Sequence, residues 1–289
     1  MNLKTNTKIA LLLLPAVAVI LFLFVGGLIF GILQSLEVNP FTGSFRDIKI
    51  DSYKTIFATA TFRTSFIMTF FIALTATFLS MVFAIATALM LRKTFVGKKL
   101  VAFTYQIPIP MPHIVVAVGA MMLLSQSGLF SRIFYHLGVT SVPSDFPVLV
   151  KDDLGIGIIL VYLWKQIPYI GVIVLAILQS VATDYEEVAH SLGASKWQSF
   201  RHVLLPLIIP GITPASIVCF SFAFGAYEVP FLMGKSSPTM LSVYSYQLYE
   251  SLDLKGRPEA MAVSVFVALF VMLLVVVYQK IIMKVSGRS

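Results

Sequence analysis

An all-α, polytopic membrane protein with six transmembrane helices is the fold this sequence predicts, on three observations. Hydrophobic residues fill 58% of its 289 positions and charged residues only 12%, about half the charged share of a typical soluble domain. Apolar stretches almost free of charge recur six times along the chain, each near or above the ~20 helical residues that cross a hydrocarbon core. Lysine and arginine collect mainly in the segments between those stretches, as they do in the loops of membrane proteins.

The first span covers about Ile9–Gln34. Lys4 and Lys8 precede it in the manner of a secretory signal. The run is longer than an h-region of about 7–15 residues and ends without a small-residue cleavage site, so it reads as a retained span. The second span covers Thr64–Leu91 and the third Leu100–Leu124. The fourth covers Leu154–Ala182 and carries Lys165 inside it. The fifth covers Leu207–Leu232 and the sixth Ala260–Ile282. An even number of spans puts both termini on one side. That side holds the densest cluster, Arg92, Lys93, Lys98 and Lys99, with no acid among them. The loops opposite are longer and mix Arg46, Lys151, Lys255 and others with Asp47, Asp51, Asp145, Asp152, Asp153, Glu250 and Asp253. The cation-dense side is therefore cytoplasmic, giving an N-in/C-in topology. Residues 1–289 read as one transmembrane domain embedded in a lipid bilayer.

The formal charge of +8 does not indicate a nucleic-acid binder, because no basic patch with interleaved aromatics accompanies it. Cys219 is the single cysteine, so no intrachain disulfide forms, and no Cys/His cluster has metal-ligand spacing. His113, His136, His190 and His202 scatter over different loops and depths, and no catalytic constellation marks an enzyme. Gly234-Lys235-Ser236 looks like the end of a phosphate-binding loop, but Val229 stands where that loop requires glycine. The chain thus has no ATP site and no cofactor of its own.

Polar groups inside the spans are candidates for a solute path. Charges in lipid are costly and usually face protein or water. Lys165 in span four, and Tyr227 and Glu228 in span five, are such groups. Three roles stay open for the two charges: lining the path, a structural ion pair, or snorkelling towards a headgroup region. Pro108, Pro110 and Pro112 interrupt span three ahead of His113. They free backbone carbonyls that serve a gate or polar pocket where they face a cavity. An ion-coupled transporter or channel working through Lys165 and Glu228 is the alternative function.

The segment Asp184–Pro206 between spans four and five is the most informative. Thr183 or Asp184 suits a helix start, with acids in the first turn. Gly193 suits a left-handed end to that helix, and Ser195 suits the cap of a second one. Trp197, Phe200 and Leu204 then share a face of the second helix. The expectation is a helix, a tight turn and a second helix, with an apolar ridge that needs lipid or protein against it.

This stretch resembles the permeases of bacterial ATP-binding-cassette importers. Their pattern is Glu-Ala-Ala, three residues, Gly, nine residues, then Ile-x-Leu-Pro. Here Glu187-Val188-Ala189 is followed after three residues by Gly193, and after nine more by Val203-Leu204-Leu205-Pro206. Val188 and Val203 are apolar departures. The resemblance implies the type I importer permease fold, and a coupling surface built from Glu187, Ala189, Gly193, Ser195, Trp197, Phe200, Leu205 and Pro206. Pro206 would break the helix before span five. It also implies partners: an ATP-binding-cassette ATPase dimer that binds the ATP and magnesium, a second and different permease chain, and an extracytoplasmic solute-binding protein. Phe224–Gly234 is similar to the branch carrying polyamines, ferric iron, sulfate, thiamine and phosphonates. In that branch Glu228 would favour a polyamine-like cation and Lys165 an organophosphonate-like anion.

Overall fold

A computed structural model of the chain describes residues 5–38, 48–180, 182–254 and 256–285. Lys4, used above in the comparison with a secretory signal, and Arg46, Asp47 and Lys255, used for topology, lie outside them, as do the side chains of Thr183 and Asp184. Among the described residues the chain is helical, with no strand. Helices α1 (Thr5–Ser35), α2 (Asp51–Ala58), α3 (Ala60–Leu91), α4 (Lys98–Gln106), α5 (His113–Leu124) and α6 (Leu129–His136) come first. A 3-10 turn at Pro143–Asp145 precedes α7 (Ile156–Ser180), α8 (Ala182–Ser191) and α9 (Lys196–Ser199). A π-turn at Phe200–Leu204 leads into α10 (Leu205–Gly225), followed by α11 (Glu228–Met233), α12 (Leu241–Tyr249) and α13 (Gly256–Val285).

Among the described residues, six segments are long and apolar enough to cross a membrane: Leu11–Ser35, Ala60–Leu91, His113–His136, Ile156–Ser180, Lys196–Gly225 and Gly256–Lys280. Two differ from the expected spans in an informative way. The expected third span, Leu100–Leu124, is split between α4 and α5, and the apolar segment runs on to His136. Three prolines within five residues remove the amide donors a continuous helix needs there. The expected fifth span also breaks, at Ala226 and Tyr227, so Glu228 opens the separate short helix α11.

The chain divides into two compact units, one of Thr64–Met240 and one combining Met1–Arg63 with Leu241–Ser289. In the first, α3 runs 32 residues with no glycine or proline. Its inward stripe is largely small, with Ala73, Ala76, Ala84 and Ala88 fully buried. Small residues let neighbouring helices approach closely in a membrane, where packing rather than water expulsion drives association. Ala84 and Ala88 join Ile170, Val174 and Leu178 of α7 and Ile208, Ile212, Ala215 and Cys219 of α10 in one core. Asp152 starts α7 by accepting the amides of Leu154, Ile156 and Gly157 at 3.2, 2.7 and 3.3 Å, which satisfies donors a helix start leaves orphaned.

In the second unit, α13 packs against α1, α2 and α12. The rings of Phe57, Phe62 and Phe266 meet edge-on with centroids 5.2 to 5.6 Å apart. Ser245 donates to the carbonyl of Ala260 at 2.8 Å, tying α12 to the start of α13. The apolar segment of α1 is exposed along most of its length, as a helix facing lipid is.

Candidate functional site

Two places in the Thr64–Met240 unit carry the residues singled out from the sequence. The first is the elbow of α8 and α9. Helix α8 begins at Ala182, ahead of both expected caps. It ends as expected: Gly193 sits at φ +86°, in the left-handed region. Its amide bonds the His190 carbonyl and the Ala194 amide bonds the Ala189 carbonyl, both at 3.0 Å. That is a complete Schellman closure, which a residue with a Cβ adopts only with strain. Ser195 then caps α9 reciprocally. Its hydroxyl accepts the Gln198 amide at 3.3 Å, while the Gln198 side chain accepts the Ser195 amide at 2.8 Å.

The apolar ridge lies elsewhere than expected. Leu204 is buried in the core and Phe200 packs against it, so of the expected trio only Trp197 projects, 65% exposed. The cause is the π-turn, whose wider spacing takes Leu204 off the outward face of α9. The exposed ridge is on α8 instead, from Tyr185, Val188 and Leu192, the last 83% exposed. Their i, i+3, i+7 spacing puts them on one face, beside the exposed Glu187. Ala189 is partly buried, and Leu205 packs against the core. Pro206 does not break the helix, as had been expected. It occupies the first turn of α10, directly after the π-turn, where the displaced hydrogen bonding makes room for a residue without an amide donor.

One contact at the elbow was not anticipated. Arg92, just past the end of α3, donates through both terminal nitrogens to the two oxygens of Glu186, at 2.6 and 2.9 Å. Those bonds hold the Glu186 carboxyl below its ordinary pKa, against the opposing pull of burial. Arg92, Glu186, Lys93, Lys196 and Phe200 help line a cleft of about 940 Å³ here.

The second place is the proline-rich break between α4 and α5. Lys165 of α7 is 7% exposed. Its ammonium donates to the carbonyls of Pro108, Ile109 and Met111 at 2.8, 3.1 and 2.5 Å. Pro112 has no amide to offer the Pro108 carbonyl, so the lysine replaces a missing helical donor. All three ammonium protons are engaged. Lys165 and Glu228 form no ion pair with each other, and the ammonium is turned to the break. Beside it lies a cavity of about 200 Å³ lined by Ile109, His113, Lys165, Gln166, Tyr169 and Phe222, among others. The His113 ring stacks obliquely on Phe222, with centroids 4.2 Å apart. Gln166 is held by the Ser80 hydroxyl at 3.2 Å. Close by, the Tyr105 hydroxyl donates to the Ile167 carbonyl at 3.0 Å. A side chain at Gly171 would put its Cβ 1.9 Å from the Tyr105 hydroxyl oxygen.

The profile of the family described as binding-protein-dependent transport system inner membrane component matches residues 9–285. The chain belongs to that family. It is a multi-pass inner-membrane permease component of an ATP-binding-cassette importer. Among its relatives, a probable sulfate transport system permease protein of Zygnema circumcarinatum is 27% identical over 267 residues, covering 89% of this chain and 87% of that one. A probable sulfate transport system permease protein of Marchantia polymorpha is 28% identical over 200 residues, 69% of this chain and 66% of that one. The inner membrane transporter permease protein YdcU of Escherichia coli K12 is 32% identical over 170 residues, 56% and 54% of the two chains. A chain of a bacterial alginate transporter, in a complex with an alginate-bound periplasmic protein, superposes with a TM-score of 0.75 at 19% identity. That match covers 94% of this chain and 93% of the other, and it shows the type I importer permease fold.

Within that fold, the structure brings Lys165 and His113 to one cavity that Tyr227 and Glu228 do not line, although the Glu228 carboxylate lies within electrostatic reach of His113. Tyr227 precedes α11 and stacks on Phe231 at 5.0 Å. Glu228 is exposed at the first position of α11. Lys235, part of the spurious phosphate-loop match, pairs instead with Asp153. Three contributors escaped the sequence reading: Arg92, Glu186 and Tyr105. The first two were visible only as opposite charges assigned to the same membrane face.

Proposed function

We propose that this permease forms one half of a translocation pathway and receives ATP-driven motion through its 184–206 elbow. The carrying observation is the elbow itself. It is a rigidly closed, reciprocally capped turn that presents Glu187, Val188, Leu192 and Trp197 outward. An apolar ridge of this kind on an aqueous face calls for a protein partner. In this reading the partner is a separate ATPase dimer, which binds the ATP and magnesium. A second, different permease chain completes the pathway, and an external binding protein delivers the solute.

The solute is small and polar or charged. The case for a phosphonate-like anion rested on Lys165, whose protons are taken by backbone carbonyls. The case for a polyamine rests on Glu228 alone. Relatives are named for sulfate and for maltodextrin, so oxyanions and oligosaccharides are the first classes to assay.

The test uses the transporter reconstituted with its ATPase and binding protein. Glu187→Ala and Gly193→Val are expected to leave the permease inserted and ATP hydrolysed, while uptake per ATP falls about tenfold, within the usual range of coupling energies. Normal uptake by both variants overturns the coupling role. Uptake driven by an ion gradient without ATP favours the ion-coupled alternative.

A further inference from the structure

We propose that Arg92 is a positioning residue that makes the elbow a lever on α3, by clamping Glu186 of α8 to the cytoplasmic end of that helix. This rests on the coupling reading of the elbow. Its own ground is geometric. Both guanidinium nitrogens meet both carboxylate oxygens, and such fork-to-fork pairing fixes orientation as well as distance. The two side chains are 21% and 22% exposed, so solvent screens them less than a surface pair. The residues are 94 positions apart, so the pair is a tertiary tie rather than a local one.

The tie falls where the backbone supplies little else. Helix α8 packs against α7, α9 and the π-turn, and the clamp adds α3 to that set. The Arg92 amide still bonds the Ala88 carbonyl at 2.9 Å, so its side chain moves with α3. Lys98, the first residue of α4, donates to the Arg92 carbonyl at 3.3 Å and joins the same node. From there α3 leads inward through Ala88 and Ala84 to the core it shares with α7 and α10. A displacement of α8 therefore reaches that core along α7, through the π-turn into α10, and, by way of Arg92, along α3. His190, one turn on, places Nε2 3.8 Å from Glu186, too far to replace the fork.

The experiment measures solute imported per ATP hydrolysed by the complete reconstituted transporter. Arg92→Gln and Glu186→Gln are each expected to lower that ratio about fivefold or more while the ATPase still copurifies. The exchanged pair, Arg92→Glu with Glu186→Arg, is expected to recover most of the loss, which a merely structural role for either residue would not produce. Arg92→Lys keeps the charge but loses the fork, and should fall between. Should the glutamine variants fail to assemble, Arg92→Lys carries the test alone. An unchanged ratio in assembled variants, or an assembled exchange with no recovery, overturns the proposal. Glu187→Ala is the control: if it uncouples while the clamp variants do not, only the clamp is wrong. If neither uncouples, the coupling reading itself fails.

Discussion

The elbow between α8 and α9 and the break between α4 and α5 both end one helix and begin another, yet they do it by opposite means. At the elbow, Gly193, Ala194, Ser195 and Gln198 satisfy backbone groups within five residues of themselves. At the break, the carbonyls of Pro108, Ile109 and Met111 are satisfied by a lysine 54 to 57 residues away. The elbow meets water, which bonds any group left over. At the break only Pro108 is buried, while Ile107, Ile109, Pro110 and Pro112 are exposed, and on a surface that faces lipid an unmet carbonyl has no such recourse. A turn exposed to water is thus specified locally, whereas a turn against lipid depends on a tertiary donor.

That contrast predicts unequal consequences of disruption. Lys165→Met keeps the bulk of the side chain and removes its donors, at about 1–3 kcal/mol for each carbonyl left unpaired. It should produce the largest drop in melting temperature in detergent, and uptake should fall with it. Ser195→Ala removes one local cap worth about 1 kcal/mol. It should speed amide exchange around Lys196–Ser199 and barely move the melting temperature. Equal melting temperatures for the two variants would erase the distinction.

The smallest expected effect is that of pH. Glu186 faces Arg92, Lys93 and His190, and its pKa is lowered from the ordinary 4.5, chiefly by the Arg92 hydrogen bonds. A depressed carboxylate pKa contributes stability that is fully present above the unfolded value and lost progressively as pH falls from there through the folded one. The clamp's contribution should therefore be constant from neutral pH down to about the ordinary value of 4.5 and decline below it. A loss of ATP coupling already at about pH 6, absent in Glu186→Gln, would contradict this placement of the titration.

The same contrast explains what the sequence made legible. The six spans follow from composition, and the elbow follows from spacing, because Gly193 and the Ser195–Gln198 pair act on their own neighbours. Lys165 was recognisable as a costly charge, but its partners were not, since the prolines that need it lie in another helix. Arg92 and Glu186 were equally opaque: each was an ordinary loop charge until folding joined them. The misplaced ridge has a different cause. Reading Trp197, Phe200 and Leu204 as one face assumed an uninterrupted α-helix, and the π-turn breaks that register.

The π-turn at Phe200–Leu204 also sets how this segment tolerates changes in length. A turn closed by i→i+5 bonds houses one residue more than an α-turn. Losing one residue within it would relax the turn to ordinary α-helix and leave Trp197 aimed much as before. Losing one residue from the body of α10 would instead swing everything upstream by about 100° around the helix axis, turning Trp197 to a different side. The wide turn is a spare link in the chain, placed where the elbow joins α10.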